Sequence, residues 1–290
     1  MSFLDYSIHN HDRQDLHRER IDDLRGRVQH AIAKGPLPSV QIALARDGKL
    51  VLFETLGEAD NNTRYNIFSC TKPLVASALW RLMGEGLIDI SLLVSHYIPG
   101  FADRGKGDVT VEQVLCHTAG FPRAPMGPPA WWTPAGRLEQ MRSWHLDWTP
   151  GSRMEYHPTS AHWVLASLIE RVTGVDYRDY IQSGIVEPLG LSGLQLGVPP
   201  AQQEAIAELR QVGEPPSAAE LEKLFGSAIE WPDTLDDALL AFNDPEVRAL
   251  GVPGGGGVAT AADMALFYQA LIHNPGKLWD PEILAVAIGT

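Results

Sequence analysis

Leu16, Ile21, Leu24, Val28 and Ile32 recur at helical spacing, and Gly35-Pro36 ends the run. The pattern predicts an amphipathic helix over 15–34. The period then changes. "SVQIALARDGKLVLFETLG", residues 39–57, is two β-rich runs around Asp47-Gly48, a pair that suits a tight hairpin turn. From about residue 70 the spacing turns helical again, in "PLVASALWRLMGEGLIDI", "TVEQVLCHTAG" and "SAHWVLASLIERVTG". Residues 121–152, rich in Pro, Gly and Trp, read as a long loop of the kind that more often serves function than idles. After "VEPLGLSGLQL" the chain is polar and acidic to about residue 248. It continues as "GVPGGGGVATAADMALFYQALI", a glycine-rich turn feeding a helix. Both "MALFYQALI" and "PEILAVAIG" read as helical.

This order of elements predicts an α+β fold: an antiparallel sheet flanked by helices, plus a mainly helical lobe. Strands are too few for a doubly wound parallel sheet. A single domain over 1–290 is expected, with an α/β part at 1–65, a helical part at 66–250 and a return segment at 251–290. A lone two-stranded hairpin is marginal, so further strands are expected to come from elsewhere.

Composition narrows the function. Of 290 residues 44% are hydrophobic and 20% charged, a globular mixture. The formal charge of −13 repels polyanions, which argues against a nucleic-acid partner. No apolar run approaches the roughly 18 residues that would cross a bilayer. "MSFLDYSIHNHDRQDLHRER" lacks the apolar core of a secretory signal, and only Cys70 and Cys116 occur. The expectation is a cytoplasmic protein with two free thiols. His9, His11 and His17 lack the companion ligands of a metal site, and Gly254–Gly257 lacks the Lys-Ser/Thr of a phosphate loop. Neither a metal nor another cofactor is expected.

The chemistry centres on "SCTKP", residues 69–73. On a helix, positions i and i+3 share a face, so Ser69 and Lys72 can come within hydrogen-bond reach. Pro73 is tolerated only in a first turn, which puts the helix start near Ser69 or Cys70. There the free N–H groups and the positive end of the dipole favour a developing anion. A neutral Lys72 could take the serine proton if its pKa fell from ~10.4 to roughly 7–8. An ordinary helix start would use the same residues.

Other segments bear on that choice. "SCTKP" follows an "RDG" hairpin and is itself followed by "VLCHTAGF" at 114–121, then "TPGSRMEY" leading into a helix, "PLGL" at 188–191 and "GGGGVATAADMALF". In this order they resemble the serine hydrolases of the class C β-lactamase and penicillin-recognising superfamily, the esterase-like branch above all. The resemblance runs from about residue 20 to about 275. It implies Ser69 as acyl-accepting nucleophile, with its own backbone N–H in the oxyanion site, Lys72 as general base and Tyr156 as second proton carrier. It makes the turn at His117 structural.

Trp131 and Trp132, with Trp144 and Trp148, are read as core or as walls of an apolar acyl pocket. Pro158 stands where many relatives have Asn, which removes a side-chain amide that could hold a substrate carbonyl. The expected substrate is therefore a small-molecule ester or amide, an ester first, with β-lactamase or D-amino-acid peptidase as the alternative. A third reading is a non-catalytic use of the fold, because the Lys-Thr-Gly-like strand of relatives is not reached before "PEILAVAIGT". On that ground the natural protein is expected to be about a hundred residues longer. These 290 residues are expected to leave a β edge and the apolar side of helix 15–34 bare. The oligomeric state is left open.

Overall fold

The computed structural model describes residue 4 and residues 17–214, 217–225 and 235–289. His9, His11 and Leu16 lie outside the described residues. The helices that build the body are α1 (Arg18–Lys34), α2 (Thr71–Gly84), α3 (Val111–Leu115), α4 (Pro134–Ser143), α5 (Ser160–Thr173), α6 (Ala261–His273) and α7 (Pro281–Ile288).

The hairpin forms as its turn residues dictate. Strand β1 (Ser39–Arg46) pairs antiparallel with β2 (Lys49–Gly57), and Asp47 and Gly48 both take positive φ, 52° and 78°. The register slips once, between Leu44 and Ala45. Among the described residues this sheet has two strands. It is held instead by α6: the Gly48 N–H donates to Gln269 Oε1 at 2.8 Å, and the Ala261 N–H to Gln41 Oε1 at 2.7 Å. Helix α1 lies against the hairpin with Ile21, Leu24, Val28 and Ile32 half-buried, and Arg25 Nε donates to Glu54 Oε2 at 2.7 Å. No residue of α1 is fully buried.

The body is built on α2 and α5. Helix α2 buries Leu74, Val75, Ala78, Leu79 and Leu82 on one face. Helix α5 is buried almost all round, from Ala161 to Ile169, and ends on Gly174 in the left-handed region (φ 72°). Such side chains contribute about 1.5–3 kcal/mol each on full burial. Leu266, Phe267 and Ala270 of α6 and Leu284 of α7 join the same core. Arg137 of α4 grips Glu170 of α5 through both carboxylate oxygens, at 2.7 and 2.6 Å.

Two expectations need correction. Residues 121–152 are not one long loop, since α4 lies within them. The glycine-rich stretch, read as a turn feeding a helix, contributes a short strand, β5 (Gly257–Ala259). It is the central strand of a small antiparallel sheet, between β3 (Tyr65–Asn66) and β4 (Gln195–Leu196). Three residues are too few to show a period of two, and glycine opens the strand. This small sheet is what places the site, because β3 runs directly into the turn that carries Ser69.

Candidate active site

Ser69 lies in a single 3₁₀ turn, Phe68–Cys70, between β3 and α2. Phe68 takes φ 42°, a sparsely populated region for an aromatic residue. The Asn66 side chain supports the turn by accepting the Phe68 N–H at 3.0 Å. The next N–H, that of Ser69, has no partner among the described residues and is free for a ligand oxygen. Pro73 sits at the third position of α2, within the first turn that its missing N–H requires.

Lys72 and Tyr156 meet the serine from two sides. Lys72 Nζ is 3.2 Å from Ser69 Oγ and donates to the Gly254 carbonyl at 2.6 Å. Lys72 is 8% exposed, and burial holds its amine below 10.5, opposed by its interaction with Tyr156. Tyr156 Oη is 2.7 Å from Ser69 Oγ, with the Lys72 amine 4.9 Å from the centre of its ring. Tyr156 stays 46% exposed, so the hydroxyl pair is open to a substrate.

The glycine turn is shaped by lack of space. A Cβ on Gly254 would come 2.8 Å from the Pro158 carbonyl oxygen, and one on Gly257 would come 2.7 Å from Thr71 Oγ1. The Gly257 N–H donates to that same Oγ1 at 2.9 Å, tying β5 to the start of α2. Bare backbone is thus what lets the Gly254 carbonyl reach Lys72.

Three histidines back the site, and sequence reasoning did not single out His157 or His162 as part of it. His157 Nε2 accepts the Phe121 N–H at 3.1 Å, so its proton is on Nδ1, which donates to the Glu155 carbonyl at 2.6 Å. His117, in the turn with φ 58°, accepts the His157 N–H on Nδ1 at 3.2 Å, and its ring lies 5.1 Å from that of Tyr156. Burial, then His157, then Lys72 push its pKa down to about 4. His162 of α5 is held well below its usual range, first by burial and then by the Lys72 charge. Burial pushes all three below 6.5, which favours their neutral forms at pH 7. Polar side chains at 157 and 162 in "YHPTSAH" were the available signal, but they do not differ in sequence from ordinary core histidines.

The structure brings Ser69, Lys72 and Tyr156 together. It does not bring Trp131 or Trp132 to them. Trp131 packs 6.4 Å from Trp163, and its carbonyl accepts from Arg137 Nη1 at 3.2 Å. Trp132 lines a separate cavity of about 490 Å³ with Arg137, Tyr177, Arg178 and Glu246. Among the described residues no three His, Cys, Asp or Glu side chains converge as metal ligands.

Residues 24–287, most of the chain, match the Beta-lactamase family. The chain belongs to that family. This β-lactamase-family protein is 30% identical over 316 aligned positions to a protein of Salmonella heidelberg named "Putative D-alanyl-D-alanine carboxypeptidase", covering 94% of this chain and 69% of that one. Its fold is similar to that of a penicillin-binding protein homologue from Caulobacter crescentus, with TM-score 0.74, 26% identity, and coverage of 93% of this chain and 75% of the other. A family VIII carboxylesterase shares the fold with TM-score 0.74 and 24% identity, over 91% of this chain and 73% of its own. The protein is a serine hydrolase of the β-lactamase and penicillin-binding-protein superfamily, with an α+β fold of mixed helix and antiparallel sheet. Among the described residues no helix is long and apolar enough to cross a membrane.

Proposed function

We propose that this protein hydrolyses carboxylic esters through an acyl-enzyme on Ser69. The observation that carries the reading is the position of Ser69 Oγ between Tyr156 Oη at 2.7 Å and Lys72 Nζ at 3.2 Å, beside its own unpaired N–H. Lys72, neutral when its proton is lost, accepts the serine proton as Oγ attacks the ester carbonyl. The carbonyl oxygen, now negative, accepts the Ser69 N–H. Tyr156 gives a proton to the departing alcohol and is left a phenolate. It then takes a proton from the attacking water, and the Lys72 ammonium returns its proton to Ser69 Oγ as the acid departs.

Pro158 supports an ester over a lactam or peptide. It supplies no side-chain amide at that point, and its carbonyl is pressed against Gly254. An alkoxide also departs more easily than an amine, so fewer contacts are needed on the leaving side. A second reading, D-amino-acid peptidase, is favoured by the names of the 30%-identical relatives. The decisive experiment is a fluorophosphonate probe with peptide mapping, followed by rates on p-nitrophenyl esters, a D-alanyl-D-alanine peptide and a chromogenic cephalosporin. Labelling of Ser69 with ester turnover well above the other two is expected. No adduct on Ser69 would end the catalytic reading, and faster peptide turnover would replace ester by peptide.

A further inference from the structure

A small hollow beside Phe68 has no part in the proton transfers. It holds about 190 Å³ and is lined by Phe68, Leu209, Arg210, Gln211, Leu239 and Leu240. Four of the six are apolar. Phe68 directly precedes Ser69, and its ring meets Phe242 edge-on at 5.5 Å. Gly255 lies behind both, since a Cβ there would be 3.6 Å from Phe242 Cζ and 3.8 Å from Phe68 Cα. The residue before the nucleophile is thus part of the hollow's wall, while Ser69, Lys72 and Tyr156 are not.

Besides Phe68, its walls come from two chain segments, 209–211 and 239–240, which no β-ladder joins among the described residues. Asn243 joins them. Its Oδ1 accepts the Leu209 N–H at 2.8 Å while its Nδ2 donates to the Leu209 carbonyl at 2.8 Å. The side-chain amide thus makes the two bonds a neighbouring strand would make, and only one amide orientation satisfies both. Arg248 fixes that orientation from the far side, with Nη2 donating to Asn243 Oδ1 at 3.2 Å and Nε to the Phe242 carbonyl at 3.0 Å.

We propose that this hollow receives the acyl group of the ester, and that Asn243 is the positioning residue that sets its width. The assignment rests on the reading of Ser69 as an ester-cleaving nucleophile. The alcohol takes its proton from Tyr156 and so leaves on that side, which gives the acyl group the side bounded by Phe68. Size sets the class of substrate. A cavity of roughly 150 Å³ accepts benzene, so one somewhat larger takes a phenyl ring or a chain of about six carbons.

The test is kcat/KM along p-nitrophenyl acetate, butyrate, hexanoate, octanoate and decanoate. A rise of roughly three- to fourfold per methylene is expected up to about hexanoate, then a plateau or fall. Leu239→Trp, which fills the hollow, should lower the hexanoate-to-acetate ratio by about tenfold or more. Asn243→Ala should raise KM for hexanoate more than it lowers kcat, and flatten the optimum. Because each ratio is taken within one preparation, partial misfolding cannot imitate it. A flat wild-type profile, or ratios unchanged in both variants while esters still turn over, would overturn the hollow's role alone. If no ester of the series acylates Ser69, the ester reading falls and this assignment falls with it.

Discussion

Ser69, Lys72 and Tyr156 touch one another through single atoms, so their substitutions have separable outcomes. Ser69→Ala should leave the fold intact and abolish the covalent adduct, as read by intact-mass spectrometry after probe treatment. Lys72→Ala should lower kcat about 10²–10⁴-fold with a smaller change in KM, because a base acts mainly in the transition state. Lys72→Arg should not restore it, since a guanidinium stays protonated. The pH dependence follows from the direction of the lysine shift. Burial lowers the Lys72 pKa, and the reactive form is neutral, so kcat/KM should rise with pH and level off below pH 10.5. That rise should vanish in Lys72→Ala; a wild-type rate that falls across pH 6–10 would contradict the neutral-lysine mechanism. Tyr156→Phe should slow both acylation and deacylation in pre-steady-state measurements. Ser69 and Lys72 were legible as a pair because Ser-x-x-Lys-Pro is a local pattern with i to i+3 geometry. The roles of both, and Tyr156 itself, came only from motifs carried in order along the chain. His157 and His162 were not legible, because their role depends on which main-chain groups other elements bring to them.

Elements are joined to the site by bare backbone and by carbonyl groups. Gly254→Ala would place a methyl 2.8 Å from the Pro158 carbonyl oxygen, so the turn must shift. The expected result is a destabilisation of about 1–3 kcal/mol and a loss of activity beyond what that explains, as the Gly254 carbonyl leaves Lys72. Denaturation midpoints and kcat on the same sample check it; full activity in a destabilised variant would separate the turn from the base. Away from the site, fully buried Lys106 donates to the Trp144 carbonyl at 2.8 Å and also to the Asp103 carbonyl, holding the chain just after α4. Burial lowers its pKa to about 8. Lys106→Met keeps the aliphatic stem but strands those carbonyls, so a loss of about 1–3 kcal/mol is expected by urea unfolding. Helix α4 was hidden in sequence by the Pro, Gly and Trp around it. Buried Arg137 and exposed polar neighbours leave little apolar periodicity to read, and a buried ion pair to α5 does the anchoring.

Across the whole molecule, the buried histidines tie stability to pH. His117, His157 and His162 all have folded pKa values below 6.5. The unfolded chain therefore binds more protons as pH drops below about 6.5, and stability should fall with it toward pH 4. Urea midpoints at pH 7.0, 5.5 and 4.5 test this, and a midpoint that stays level or rises would refute it. Sequence by itself determined the elements whose signals are local: the Asp47-Gly48 hairpin, the amphipathic helices, and the pairing of Ser69 with Lys72 one turn away. It also determined the superfamily, through motifs carried in order along the chain. Only the tertiary structure decided what depends on long-range pairing. It made Gly257–Ala259 a central strand, set Trp131 and Trp132 away from the serine, and brought Tyr156 and the Gly254 carbonyl onto Ser69 and Lys72. Those contacts span 87 and 182 residues of chain. No periodicity reaches that far, because the distance between such residues is set by how the core between them packs.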